Sequence, residues 1–97
     1  MLFRSIRSFG DRRTATLFDG RHVPGLPRDI QIRAYRKLRL VDAAATLDFL
    51  RVPPGNRLEK LSGSRAGQHS VRINDQFRIC FLWQEGGAEQ VEIVDYH

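Results

Sequence analysis

A chain of 97 residues, 41% hydrophobic and 9% aromatic, is long enough for one hydrophobic core and too short for two, so a single domain over residues 1–97 is expected. No apolar run approaches the roughly 20 residues that span a bilayer, and Arg4 and Arg7 interrupt the stretch where a secretory leader would be apolar. These features argue against a membrane protein and lead to the expectation of a cytoplasmic one.

The formal charge of +5 is unevenly placed: all 16 Lys and Arg and seven of the 11 acids precede residue 79, after which four acids and no base follow. Fourteen of the cations are Arg, whose planar fork grips phosphate in two places and stacks on bases. A phosphate-rich partner fits that composition, but so does a merely solvating surface, and composition alone leaves both open. The lone cysteine, Cys80, cannot form an internal disulfide and stands among Phe77, Ile79, Phe81, Leu82 and Trp83, where a small core residue is expected.

In chain order, Leu2 to Ile6 reads as a short strand. Ser8 is placed to cap a helix running through Asp11, Arg12, Leu17 and Phe18 to Gly20. Arg21 to Pro27, with two prolines and a glycine, is a connector, and its His22 has no second ligand at metal spacing. From Pro27 to about Ala44, Ile30, Ala34, Tyr35, Leu38 and Val41 share one helical arc. Arg28, Arg33, Arg36, Lys37 and Arg39 share the other, with Ile32 and Leu40 as exceptions. That basic face suits RNA or an acidic partner, or else a solvated surface with Asp29 and Arg33 paired one turn apart. Leu47 to Arg51 adds a further turn before Val52 to Asn56 breaks the chain.

Beyond Gly67 the period becomes two. His69, Val71 and Ile73 alternate with Gln68, Ser70 and Arg72; Phe77, Ile79, Phe81 and Trp83 alternate with Arg78, Cys80 and Leu82. Turns at Asn74–Gln76 and Glu85–Ala88 join these strands to a third at Gln90–Tyr96. The class is therefore α+β: a short N-terminal strand, two helices and an antiparallel meander of three strands packed on them. Val71, Ile73, Ile79, Phe81, Trp83, Val91 and Ile93 form the core, and Arg72, Arg78 and Tyr96 lie on the open face.

The string Leu58-Glu-Lys-Leu61, Gly63, Arg65-Ala-Gly67, Ser70-Val-Arg-Ile-Asn-Asp-Gln-Phe-Arg-Ile-Cys-Phe81 and Val91-Glu-Ile-Val-Asp-Tyr-His97 resembles the HigB toxins of the RelE/ParE superfamily. The resemblance is dense over the second half, and the order strand, helix, helix extends it to the first. It implies a RelE/ParE-like fold and a type II toxin that cuts translated mRNA on the ribosome. It also implies a HigA-like helix-turn-helix antitoxin as partner, through which alone DNA would be contacted, and no metal or other cofactor. Arg65, Arg78, Asp95, Tyr96 and His97 match the family's functional positions. Relatives usually read Lys-Gly-Asp-Arg where this chain has Ser62-Gly63-Ser64-Arg65, so one phosphate-facing lysine is missing and Lys60 is the nearest substitute. The family's aromatic positions at 69 and 77 are His69 and Phe77 here.

Metal-free RNA cleavage needs a base for the ribose 2′-hydroxyl, cations on the phosphate and an acid for the leaving 5′-oxygen. Given the resemblance, His97 and Tyr96 are expected to share the proton transfers, with Asp95 orienting them or acting as base. Arg78 and Arg65 are expected to hold the phosphate, with Arg72 and Lys60 supporting RNA binding. Two alternatives use the same fold without cleavage: a ParE-like gyrase inhibitor and an RNA-binding regulator. No Gly-rich phosphate loop, zinc spacing or nucleophile elbow occurs in the sequence.

Overall fold

The computed structural model describes residues 4–96; the start of the expected first strand, at Leu2 and Phe3, and the terminal His97 lie outside the described residues. Two helices, α1 (Arg12–Phe18) and α2 (Arg28–Ala43), precede a sheet of four antiparallel strands in sequence order: β1 (Glu59–Lys60), β2 (Gln68–Arg72), β3 (Phe77–Gln84) and β4 (Gly87–Asp95). The expected α+β architecture is observed, with β1 as an additional two-residue edge strand too short to carry an alternation signal.

The N-terminal segment runs parallel to β4, bridging at Ile6–Ala88 and Phe9–Val91. The Ser5 carbonyl accepts from the Ala88 amide at 2.7 Å, and the Gly10 amide donates to the Val91 carbonyl at 2.8 Å. A Cβ on Gly10 would come within 3.0 Å of the Gln90 carbonyl, so this close approach requires glycine. Because the chain is still extended at Ser8, the expected cap there is corrected: Ser8 Oγ accepts from the Gln90 amide, and Asp11 caps α1 by accepting from the Thr14 amide at 2.8 Å. Buried Thr14 then ties α1 to the sheet, its Oγ1 accepting from the Ile93 amide at 2.9 Å.

Helix α2 starts after Pro27, which carries no amide hydrogen for the first turn to satisfy. Its apolar arc, Ile30, Ala34, Leu38 and Val41, is buried as its periodicity demands. Gln31 is buried too, because its side-chain amide exchanges hydrogen bonds with both backbone groups of Val23 and donates to the Leu26 carbonyl, clamping the connector onto the helix. No ion pair joins Asp29 to Arg33 among the described residues, and Ile32 stands 51% exposed on the basic face.

In the sheet, Val71 faces Ile79, which faces Ile93. A bulge between Cys80 and Leu82 puts one extra residue into β4, with Gln90 at a φ of 54°. The bulge lets Ala88, Val91 and Ile93 all point inward although they do not keep a period of two. It also explains why β4 begins at Gly87 and not at Gln90. Trp83 is only half-buried and meets Phe81 edge-on at 6.5 Å. His69 stacks on Phe81 from the same face, and its Nδ1 is buried without a hydrogen-bond partner among the described residues.

Two residues give direct tests of this packing. Buried Asp42 accepts from the Ile6 amide at 3.1 Å, and its other oxygen lies 3.4 Å from Arg4. Asp42→Ala strands a buried N–H and should lower stability by about 1–3 kcal/mol, with Asp42→Asn losing less, both read by urea denaturation. Burial, then Lys60 and Arg51, push the His69 pKa below its ordinary 6.5, so the fold holds the neutral ring. The unfolded chain therefore binds the extra proton, and stability should fall as pH drops below about 6.5. His69→Phe should make that acid-side slope shallower and raise stability by about 1 kcal/mol, measured as Tm against pH.

Candidate functional site

Alternation along β2 and β3 puts Ser70, Arg72, Arg78 and Cys80 on the sheet face opposite the α2-packed core. Arg72 and Arg78 are cross-strand partners, so two guanidinium stems stand side by side where like charges repel. The structure handles them differently. Arg72 reaches the turn and donates to Asp75 at 2.5 Å, a contact that holds the Asp75 carboxyl below its ordinary pKa. Arg78 turns inward: Nε donates to Ser70 Oγ at 2.7 Å, a terminal nitrogen donates to the Arg57 carbonyl at 2.6 Å, and the other lies 3.4 Å from Glu59. Its side chain is 11% exposed.

The Tyr96 ring closes the arrangement, its centroid 5.9 Å from the Arg78 guanidinium carbon. Arg57, Arg72, Asn74, Asp75, Arg78 and Tyr96 together line an open cavity of about 200 Å³. Three cations against one acid, which is itself paired, make this an anion-attracting concavity beside a phenol.

The remaining expected residues fall elsewhere. Arg65 forms a second cluster on the same face, 2.9 Å from Glu92 and donating to Gln68 at 3.0 Å. Glu92 thus pairs with Arg65 and not with Arg78, because Arg78 sits opposite Val94 in the register. Asp95 sits opposite Phe77, on the other side of β4 from Val94, and accepts from the Gln76 side chain at 3.1 Å. Lys60 pairs with His69 while Glu59 pairs with Ser70, so Lys60 points to the opposite face from Arg78. Ser62 is exposed at the entry to the turn Gly63–Arg65.

Arg57, Glu59 and Asn74 were not singled out from the sequence. Arg57 follows the Pro53-Pro-Gly-Asn56 turn in a left-handed conformation, φ 44°, which aims its carbonyl at Arg78; the only sequence signal was the turn itself. Cys80 lies buried between the two clusters. Burial, the largest effect, and Glu92 raise its thiol pKa while Arg65 and Arg78 act in the opposite sense.

These features define a small α+β protein whose antiparallel sheet carries a guanidinium-lined anion cavity and backs onto two helices. Residues 7–97 match the family model described as the RelE-like toxin of the type II toxin–antitoxin system HigB, and the chain belongs to that family. It is similar to Toxin HigB-1 of Vibrio cholerae, 44% identical over 63 residues, covering 65% of this chain and 66% of that one. An uncharacterized protein of Haemophilus influenzae is 30% identical over 59 residues, covering 61% and 58%. The chain thus spans 66% and 58% of the lengths of these two relatives. No helix among the described residues is long and apolar enough to cross a membrane.

A buried thiol held in its protonated form is a poor nucleophile. Iodoacetamide should leave Cys80 of the native protein unlabelled over a period in which the urea-unfolded chain reacts fully, as read by mass spectrometry.

Proposed function

We propose that this toxin is a ribosome-dependent endoribonuclease of the cytoplasm, cutting translated mRNA by metal-independent acid/base chemistry and neutralised by a HigA-type antitoxin. The cavity bounded by Arg57, Arg72, Arg78 and Tyr96 is the observation that carries this reading. A scissile phosphate entering it draws the exposed Glu59 off Arg78, which then donates to a non-bridging oxygen from a guanidinium already aligned by Ser70 and Arg57. Arg72 and Arg57 add charge as the phosphorus becomes crowded.

The ribose 2′-oxygen attacks that phosphorus, the bond to the 5′-oxygen breaks, and a 2′,3′-cyclic phosphate remains. One proton leaves the 2′-hydroxyl and one reaches the 5′-oxygen; Tyr96, 42% exposed at the cavity wall, and His97 beside it in sequence divide these transfers. Asp95, held by Gln76, orients the terminal pair and does not itself touch the phosphate. Arg65 supports RNA binding at the edge of the face. Lys60, on the opposite face, takes no part.

Removing one participant from such a site should cost about a hundredfold or more in rate. Arg78→Gln and Tyr96→Phe should each do so in cleavage of mRNA on programmed ribosomes, with wild-type cleavage insensitive to chelator. Tyr96→Phe removes only an exposed hydroxyl, so its fold is safe even if Arg78→Gln proves unstable. Wild-type rates for Tyr96→Phe, or translation blocked by both variants with the message intact, would remove the catalytic assignment.

A further inference from the structure

Arg72 is a wall of two cavities. Besides the one just described, it lines another of about 310 Å³ with Arg33, Arg36, Lys37, Gly55 and Ile73. Sequence-distant elements converge there: α2 supplies three cations, the turn after Pro54 supplies Gly55, and the end of β2 supplies Arg72. No acid lines it, and neither Arg33 nor Arg36 has an ion-pair partner among the described residues. Lys37 is held in place by donating to Asn56 Oδ1, and Asn56 in turn donates to the Leu50 and Val52 carbonyls, each at 3.2 Å. Burial, then Arg33 and Arg72, lower the Lys37 pKa. Three of the four cations, Arg33, Arg36 and Lys37, thus have no ion-pair partner among the described residues, and Arg72 alone is paired, with Asp75.

We infer that Arg33, Arg36 and Lys37 form an RNA-backbone track continuous with the candidate active site through Arg72, holding phosphates of the same strand beyond the one that is cut. The inference rests on the proposed RNA substrate and extends it to a second binding site. An acidic protein segment is a poorer fit, because the only apolar lining residue, Ile73, is buried and offers no anchor. The exposed apolar side chain of this helix, Ile32, lines a different cavity with Leu17, His22 and Tyr35. A flexible polyanion with a charge at every nucleotide matches a row of cations that lacks an apolar anchor.

The test is binding of an uncleavable 2′-O-methyl RNA dodecamer to wild type and to the triple variant Arg33→Gln, Arg36→Gln, Lys37→Gln, by fluorescence anisotropy over a salt series. Gln at 37 keeps a donor for Asn56, and far-UV circular dichroism checks the fold. Three lost phosphate contacts should flatten the slope of log affinity against log salt by about 2, with affinity down about tenfold at moderate salt. Equal slopes and affinities would overturn the track, as would loss of antitoxin co-purification with RNA binding unchanged, which would assign the patch to a protein. A flattened slope in a protein that cuts no message would retain the track and remove the nuclease, whereas cutting with equal slopes would do the reverse.

Discussion

The guanidinium of Arg78 has five N–H groups to satisfy while almost out of solvent, and the architecture of the site follows from how it does so. Burying a cation is costly unless it is hydrogen-bonded and paired. Here one strand gives a hydroxyl from Ser70, the loop before β1 gives the Arg57 carbonyl, β1 gives the Glu59 carboxylate and the chain end gives the Tyr96 ring. Three segments separate in sequence, at residues 57–59, 70 and 96, are therefore fixed relative to one side chain. Among the three polar contacts that with Glu59 is the longest, and Glu59 is itself exposed, so it is the one an incoming anion displaces with least disturbance to the others.

The charge distribution seen in the sequence acquires a spatial meaning from the register. Two of the four acids that follow residue 79 fold back onto earlier cations: Glu92 neutralises Arg65, and Glu89 lies 3.9 Å from Arg7. Arg33, Arg36 and Lys37, which have no ion-pair partner among the described residues, meet the Asp75-paired Arg72 beside the Pro54 turn. Arg72 thereby joins two concavities lined mostly by cations.

Much of the fold was legible because β2 and β3 alternate inward and outward residues and α2 keeps a helical period. Val71, Ile79 and Phe81 could be put in the core and Arg78 on the opposite face from residue order alone. The failures have physical causes. Ser8 and Asp11 are both good cap residues, and only the bridges from Ile6 and Phe9 to β4 decide that the chain is not yet helical at Ser8. The β4 bulge interrupts the alternation that would have marked its start. Lys60 could not be assigned a face because a two-residue strand has no period, and the pairing of Lys60 with His69 exists only in three dimensions. Arg57 joined the site through its backbone conformation, which no side-chain pattern announces.

A cavity that works on RNA presented by a ribosome cuts only a message that is being translated. Primer extension on two copies of one message after brief induction of the wild-type protein, one copy with an intact start codon and one with that codon destroyed, reads this out. Breaks should appear within codons of the translated copy and nowhere in the other. Both copies intact in cells whose growth has stopped would rule out the cavity as a site of RNA cleavage.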